Sequence, residues 1–240
     1  MTKIRLDRLL GNLGYGSRRE IAILARHGRI RLGEKVLREA DAKLGMDEAA
    51  ALLVDREAID PLPGFVVMMH KPTGVTCSHK EAGPLVFSLL PERWRRRDPA
   101  ISTVGRLDKE TSGLLLLTDD GALLHKIISP KAAIAKTYRA TLGRDLRGDE
   151  AAIFASGLLL EDEDKPLLPA ALEVLGPREA LLTIFEGRYH QVRRMFAAVG
   201  NHVEVLSRER IGGLRLPAEL APGEWTVLSA AEVERVFMAA

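Results

Sequence analysis

A chain of 240 residues is too long for one small module and too short for three domains. Its composition, 46% hydrophobic and 28% charged, suits a globular protein able to bury a sizeable core. No apolar run approaches the roughly 18 residues of a membrane span. The opening MTKIRLDRLL lacks the apolar stretch of a secretory signal, and one cysteine, Cys77, excludes an internal disulfide framework. A cytoplasmic setting without a membrane partner is the expectation. Net charge is only +2, so the total points to no polyanion. The distribution does. Residues 1–39 carry ten lysines and arginines against four acids, RWRRR fills 93–97, and Arg188, Arg193 and Arg194 form a third cluster. Clustered arginine is the footprint of a phosphate-backbone binder.

Along the chain, RLDRLLGNLG places Leu6, Leu9, Leu10 and Leu13 at helical spacing and closes at Gly14. SRRE at 17–20 has the capping-box pattern and predicts a helix burying Ile21, Leu24 and Ala25 and ending at Gly28. RIRLGEKVL reads as a hairpin whose Gly33–Glu34 suits a type II′ turn. The glycines of GNLGYG follow no strand and lack a nucleotide-loop order, so they read as a turn between helices. DREAIDPLPG at 55–64 combines acids, prolines and glycine, the composition of a linker.

Further on, GFVVMMH, GLLLLT, KTYRATL, ALLTIF and EWTVL read as strands. DDGALLHKIISP and YHQVRRMFAAVG read as helices stopped by Pro130 and Gly200. Strands and helices do not alternate strictly, so an α+β fold with a mixed sheet is expected rather than a doubly wound one.

The chemistry-bearing candidates are few. Six histidines and one cysteine show no metal-ligand spacing, and no metal is expected. Serine-hydrolase and nucleotide-hydrolase motifs are absent. Asp119 and Asp120, after the leucine run, read as a turn and helix N-cap, because adjacent side chains at a strand end point apart. In GRLDKETSG, Gly105 and Gly113 bracket a loop that feeds the leucine strand and can set Asp108 at the mouth of a cleft.

Two resemblances follow. The helix–helix–hairpin of residues 3–54, with Arg5, Arg8, Arg18 and Arg19, resembles the S4 RNA-binding domain. Its members commonly carry Asn-Gly or Asp-Gly at the hairpin, from which Gly33–Glu34 departs. HKPTGVT (70–76), GRLDKETSG (105–113), KTY (136–138) and EGRYHQVRRMFAAVGNHV (186–203) resemble, in order and spacing, the pseudouridine synthases that carry such a domain. RERIGGL and LAPGEW bring the likeness nearest to the branch acting on small-subunit ribosomal RNA. The implied organisation is an S4-like RNA-binding domain at 1–58, a linker at 59–64, and a catalytic domain at 65–240 with a mixed, largely antiparallel sheet and a central RNA cleft.

Pseudouridine synthases cut the N1–C1′ bond of a uridine, turn the base, and rejoin it through C5; the resemblance implies neither cofactor nor metal. The family's catalytic aspartate falls on Asp108, its active-site tyrosine on Tyr138, and its basic partner on Arg193, expected to pair with Asp108. Arg106 falls where the family fills the space left by the flipped nucleotide. Lys71, His190, Gln191 and Arg194 are expected to support or line the groove, and Arg5, Arg8, Arg18 and Arg19 to hold phosphates. Thr111 and Ser112 are expected to brace the loop, and Glu110 to face water. The implied substrate is one uridine of 16S ribosomal RNA in an assembling particle, bound by a monomer. The rival readings are the same enzyme acting on 23S RNA and a non-catalytic assembly factor that binds RNA.

Overall fold

In the computed structural model, which describes residues 3–239, the leucine repeat near the start forms helix α1 (Leu6–Asn12). Leu6, Leu9, Leu10 and Leu13 are all fully buried, as their spacing predicts. A capping box starts helix α2 (Arg18–Arg26): Ser17 Oγ accepts from the Glu20 N–H, and the Glu20 carboxylate accepts from the Ser17 N–H at 2.7 Å. It reciprocally satisfies two amides that the helix leaves unpaired. Strands β1 (Ile30–Leu32) and β2 (Lys35–Val36) form the expected hairpin, with a positive φ of 56° at Gly33 and none at Glu34.

Strand β3 (Leu52–Val54) pairs antiparallel with β1, and β4 (Glu57–Ala58) with β3, giving the order β2-β1-β3-β4. Asp55 and Arg56 make the β3–β4 turn with φ of 55° and 70°. Residues 55–58, read from composition as linker, therefore belong to a hairpin. Ile21, Ala25, Ile30, Leu52 and Val54 join the leucines of α1 in one core.

The chain divides into two compact units. One comprises the chain up to Phe65 together with Leu90–Ser102 and Thr118–Asp120; the other comprises Val66–Leu89, Thr103–Leu117 and the chain from Gly121 on. Inside the first unit, Trp94 and Arg97 of the RWRRR segment are buried, whereas Arg93, Arg95 and Arg96 are exposed. Trp94 meets Phe65 edge-on at 5.1 Å. Arg97 pairs with Asp119 at 3.0 Å, both side chains 1% exposed, and donates to the Pro61 carbonyl at 2.8 Å. Arg93 holds Asp60 at 2.6 Å and lies over the Tyr15 ring.

Two expectations are corrected here. Of this cluster, Arg93 and Arg97 fasten the chain to itself rather than offering a phosphate surface. Asp119, expected to serve a turn or helix N-cap, is a buried counter-ion to Arg97 that also accepts the Gly64 N–H at 2.8 Å. An arginine buried beside a carboxylate is held by charge-assisted hydrogen bonds that a phosphate cannot reach.

The second unit is built on a mixed sheet. The strands along its main path are β5 (Val66–Lys71), β6 (Thr111–Thr118), β7 (Lys136–Leu142), β8 (Ala171–Gly176), β9 (Glu179–Ile184), β10 (Val203–Ile211) and β11 (Trp225–Val227). The order is β8-β9-β7-β10-β6-β5-β11. β10 runs antiparallel to β7 and parallel to β6, so the sheet is mixed and mostly antiparallel, as expected. Leu114 to Leu117 are fully buried without alternation, which requires both faces of β6 to be covered. Helices α3 (Gly121–Ile128) and α4 (Gln191–Ala198) fall on the two segments read as helices.

Two backbone features of the sheet bear on the site. A Cβ at Gly113 would lie 2.3 Å from the Arg208 carbonyl oxygen, and Gly113 has φ +107°, so only glycine lets β6 and β10 approach. The β7–β10 register shifts between Thr137 and Tyr138, which sets Tyr138 directly opposite Arg208.

Candidate active site

The loop that leads into β6 is fastened from below by one lysine. Lys71, at the end of β5, is fully buried, and its ammonium donates to the carbonyls of Pro72, Asp108, Lys109 and Thr111 at 2.8–3.3 Å. Burial pushes its pKa below the ordinary value, opposed by the nearby Cys77, Glu110 and Asp108. The Thr111 N–H closes the turn onto the Asp108 carbonyl at 3.0 Å, and the Gly74 N–H holds the Lys109 carbonyl at 2.9 Å. The Asp108 backbone is thereby fixed, while its side chain, 39% exposed, remains open to a cleft.

That cleft, about 780 Å³, is lined by Arg106, Asp108, Lys136, Tyr138, Arg193 and Arg208, among others. Its volume suits a small group such as a nucleotide. Arg106 is exposed at the rim, and Tyr138 is buried deeper, on β7. The structure thus brings Asp108, Arg106, Tyr138, His190 and Arg193 around one space. Cys77 also lines it, its thiol pushed up by burial.

The expected Asp108–Arg193 pair does not form. Arg193 donates to the Val203 carbonyl at 2.9 Å and the Glu110 carbonyl at 3.1 Å. Among the described residues, the nitrogen-bearing side chain within ion-pair distance of Asp108 is His190, whose Nε2 is 3.4 Å from Asp108 Oδ1. The reason is local. His190 sits just before α4 with φ +49°, a left-handed conformation, and its ring stacks on Tyr189 at 4.0 Å. Arg193, one turn further on, fastens the loop by its backbone.

Two groove residues are also engaged elsewhere. Gln191 is buried; it accepts the Arg188 N–H at 2.9 Å and donates to Glu186 at 3.2 Å, so its amide braces the turn rather than facing a ligand. Arg194 pairs with Glu163 at 2.8 Å and donates to the Glu161 carbonyl. Arg188 holds the same Glu163 and also Glu186. These contacts tie the arginine cluster to the acidic segment EDEDK at 161–165.

In the first unit, Arg5 chelates the buried Asp7 at 2.8 and 3.1 Å, whereas Arg8, Arg18 and Arg19 are exposed. Among the described residues, no group of three His, Cys, Asp or Glu side chains could hold a metal ion.

Sequence reasoning missed Arg208. It is 2% exposed, donates from Nε to the Leu114 carbonyl at 2.8 Å, and reaches the Tyr138 hydroxyl at 3.4 Å. RERIGGL was read as a family segment, but nothing in one sequence says which of its arginines turns inward.

The model of the family described as RNA pseudouridylate synthase matches residues 65–198. Ribosomal small subunit pseudouridine synthase A of Vibrio cholerae is 40% identical over 98% of this chain and the whole of its own. The protein of the same name from Escherichia coli K12 is 41% identical over 97% of this chain and all of its own. A crystal structure of a pseudouridylate synthase covers 97% of this chain and 99% of its own, with TM-score 0.69 and 33% identity.

Proposed function

Because the chain belongs to the RNA pseudouridylate synthase family, we propose that it converts one uridine of 16S ribosomal RNA to pseudouridine, with Asp108 as the catalytic carboxylate. One observation carries the assignment of Asp108. A buried lysine and the Thr111 N–H hold its backbone carbonyl, yet its carboxylate opens into the cleft that Tyr138 and Arg106 also line.

The chemistry follows from placement. A carboxylate at the cleft mouth can attack C1′, stabilise positive charge there, or take the C2′ proton once the nucleotide has left its stack. Tyr138 offers a ring to stack on the uracil and a hydroxyl where the C5 hydrogen must leave. Arg106 at the rim can hold the flipped nucleotide or fill its place. Arg193 acts through the Glu110 carbonyl as a brace for the loop. The first unit contributes Arg8, Arg18 and Arg19 as phosphate contacts, consistent with residues 1–58 acting as an S4-like domain, 59–64 as the linker and 65–240 as the catalytic domain. The reading places the protein in the cytoplasm as a monomer, acting on an assembling small-subunit particle.

The test is to incubate the protein with 16S and 23S RNA, free and partly assembled, and map pseudouridine by sequencing. A single new site in 16S substrates supports the proposal. A site in 23S alone overturns the target. Binding without modification would favour the assembly-factor reading.

A further inference from the structure

Arg208 is a buried cation without a counter-ion. Among the described residues no carboxylate lies within 4.0 Å of it, its Nη2 is buried without a hydrogen-bond partner, and only 2% of the residue is exposed. Burying an uncompensated charge is costly, and proteins of ordinary stability keep such a group where it does something an apolar side chain cannot. Its direction is fixed twice over. The Nε–H is anchored on the Leu114 carbonyl at 2.8 Å, and the bulge at Glu209 in β10 sets Tyr138 opposite it across the strand pair. The remaining edge of the guanidinium is aimed at one polar atom, the Tyr138 oxygen, 3.4 Å from Nη1. Both residues line the cleft that opens onto Asp108.

We infer that Arg208 is a positioning residue for the last step of the reaction, holding the Tyr138 oxygen as the acceptor of the C5 proton. The inference rests on the function proposed above. Once C5 has bonded to C1′, C5 carries both that bond and its hydrogen, and N1 is doubly bonded to C6. The C5–H bond then breaks, and its electron pair forms C5=C6. The N1=C6 pair moves to N1, which takes a proton from water. The Tyr138 hydroxyl proton first leaves to water, and the phenolate oxygen so formed then takes the C5 proton and is a hydroxyl again. Negative charge therefore sits on that oxygen just before the transfer. A fixed guanidinium donating to it stabilises the charge without reorganisation, and leaves the other lone pair pointing into the cleft.

The experiment compares wild type, Arg208→Gln and Arg208→Lys on RNA carrying hydrogen or deuterium at uridine C5, and on RNA carrying 5-fluorouridine. Fluorine at C5 blocks the final proton loss but leaves the earlier bond cleavage and rejoining possible. Arg208→Gln is expected to slow turnover about 100-fold, with RNA affinity within threefold of wild type. A primary deuterium isotope effect at C5, absent in wild type, should emerge. Rejoining on the 5-fluorouridine RNA should continue at the wild-type rate. Arg208→Lys, which keeps the cation but loses the fork, should fall between the two; it carries the test where Arg208→Gln does not fold.

Equal slowing on both RNAs without an isotope effect would overturn the inference, because a purely structural arginine behaves that way. Unchanged turnover in both variants would overturn it as well. If wild type itself neither rejoins 5-fluorouridine RNA nor releases the C5 hydrogen, the parent function falls and this role with it.

Discussion

His190 Nε2 lies 3.4 Å from Asp108 Oδ1, and His190 reaches that position only by adopting φ +49° ahead of α4. A histidine in the left-handed region is held at a cost of order 1–3 kcal/mol, and such strain collects where geometry serves chemistry. His190→Gly should therefore leave thermal stability unchanged or raised, since glycine adopts that conformation freely. The same change should lower kcat at least tenfold, through loss of the contact that orients the carboxylate. Paired melting curves and turnover assays check both halves. A variant that loses stability while keeping full activity would show that His190 serves the fold alone.

Lys71 makes a second prediction. Its ammonium satisfies four carbonyls of the Asp108 loop from a fully buried position. Lys71→Met keeps the volume but leaves those oxygens without their donor, at a cost of about 1–3 kcal/mol for the buried groups. Activity should fall further than stability, because the Asp108 backbone loses its anchor. Urea unfolding and kcat measured below the transition separate the two effects.

The buried Arg97–Asp119 pair predicts a stability effect without chemistry. Either Arg97→Met or Asp119→Asn should destabilise by about 3–5 kcal/mol, since each leaves a charge buried at 1% exposure without its partner. Replacing both with apolar residues should cost less than either single change. A double-mutant cycle by denaturant unfolding measures the coupling.

Acid should act on the first unit through Asp7. The bidentate hydrogen bond from Arg5 holds its carboxyl below the ordinary 3.8, offset in part by burial. A depressed carboxylate contributes stability that is complete above its unfolded value and is lost as pH falls through the lower folded value. Melting temperature should thus drop as pH falls from about 4 towards and through that depressed value. Asp7→Asn should flatten that dependence while lowering stability at neutral pH. An identical acid profile in the variant would assign the effect elsewhere.

Where the sequence spoke through local rules, it could be read. Ser17 and Glu20 cap a helix because a hydroxyl and a carboxylate three residues apart reach each other's amides. Leu6, Leu9, Leu10 and Leu13 share a face because of helical periodicity, and Gly33 supplies the one φ its turn demands. Strand β10 was not singled out, because Glu204, Ser207, Arg208, Glu209 and Arg210 break its apolar pattern. With it went the inward turn of Arg208, which depends on a bulge at the neighbouring Glu209 and on pairing with a strand about seventy residues earlier. The charge clusters misled for a related reason. Whether an arginine meets phosphate or a carboxylate is decided by what the fold brings near it: Arg97 found Asp119, and Arg194 found Glu163. The same holds for Arg193, which the family resemblance implied as a partner for Asp108 but whose guanidinium ends on two carbonyls.

The most direct measurement of the central claim uses the hydrogen that C5 must expel when it becomes the glycosidic carbon. 16S and 23S RNA, tritiated at uridine C5 and presented free or as partly assembled particles, are incubated with wild type and with Asp108→Asn. Tritium released to water from 16S substrates alone, and reduced at least ~1,000-fold in the variant, is the predicted result. Release that survives in Asp108→Asn would contradict the assignment of the carboxylate, and no release from any substrate despite tight binding would contradict the enzyme itself.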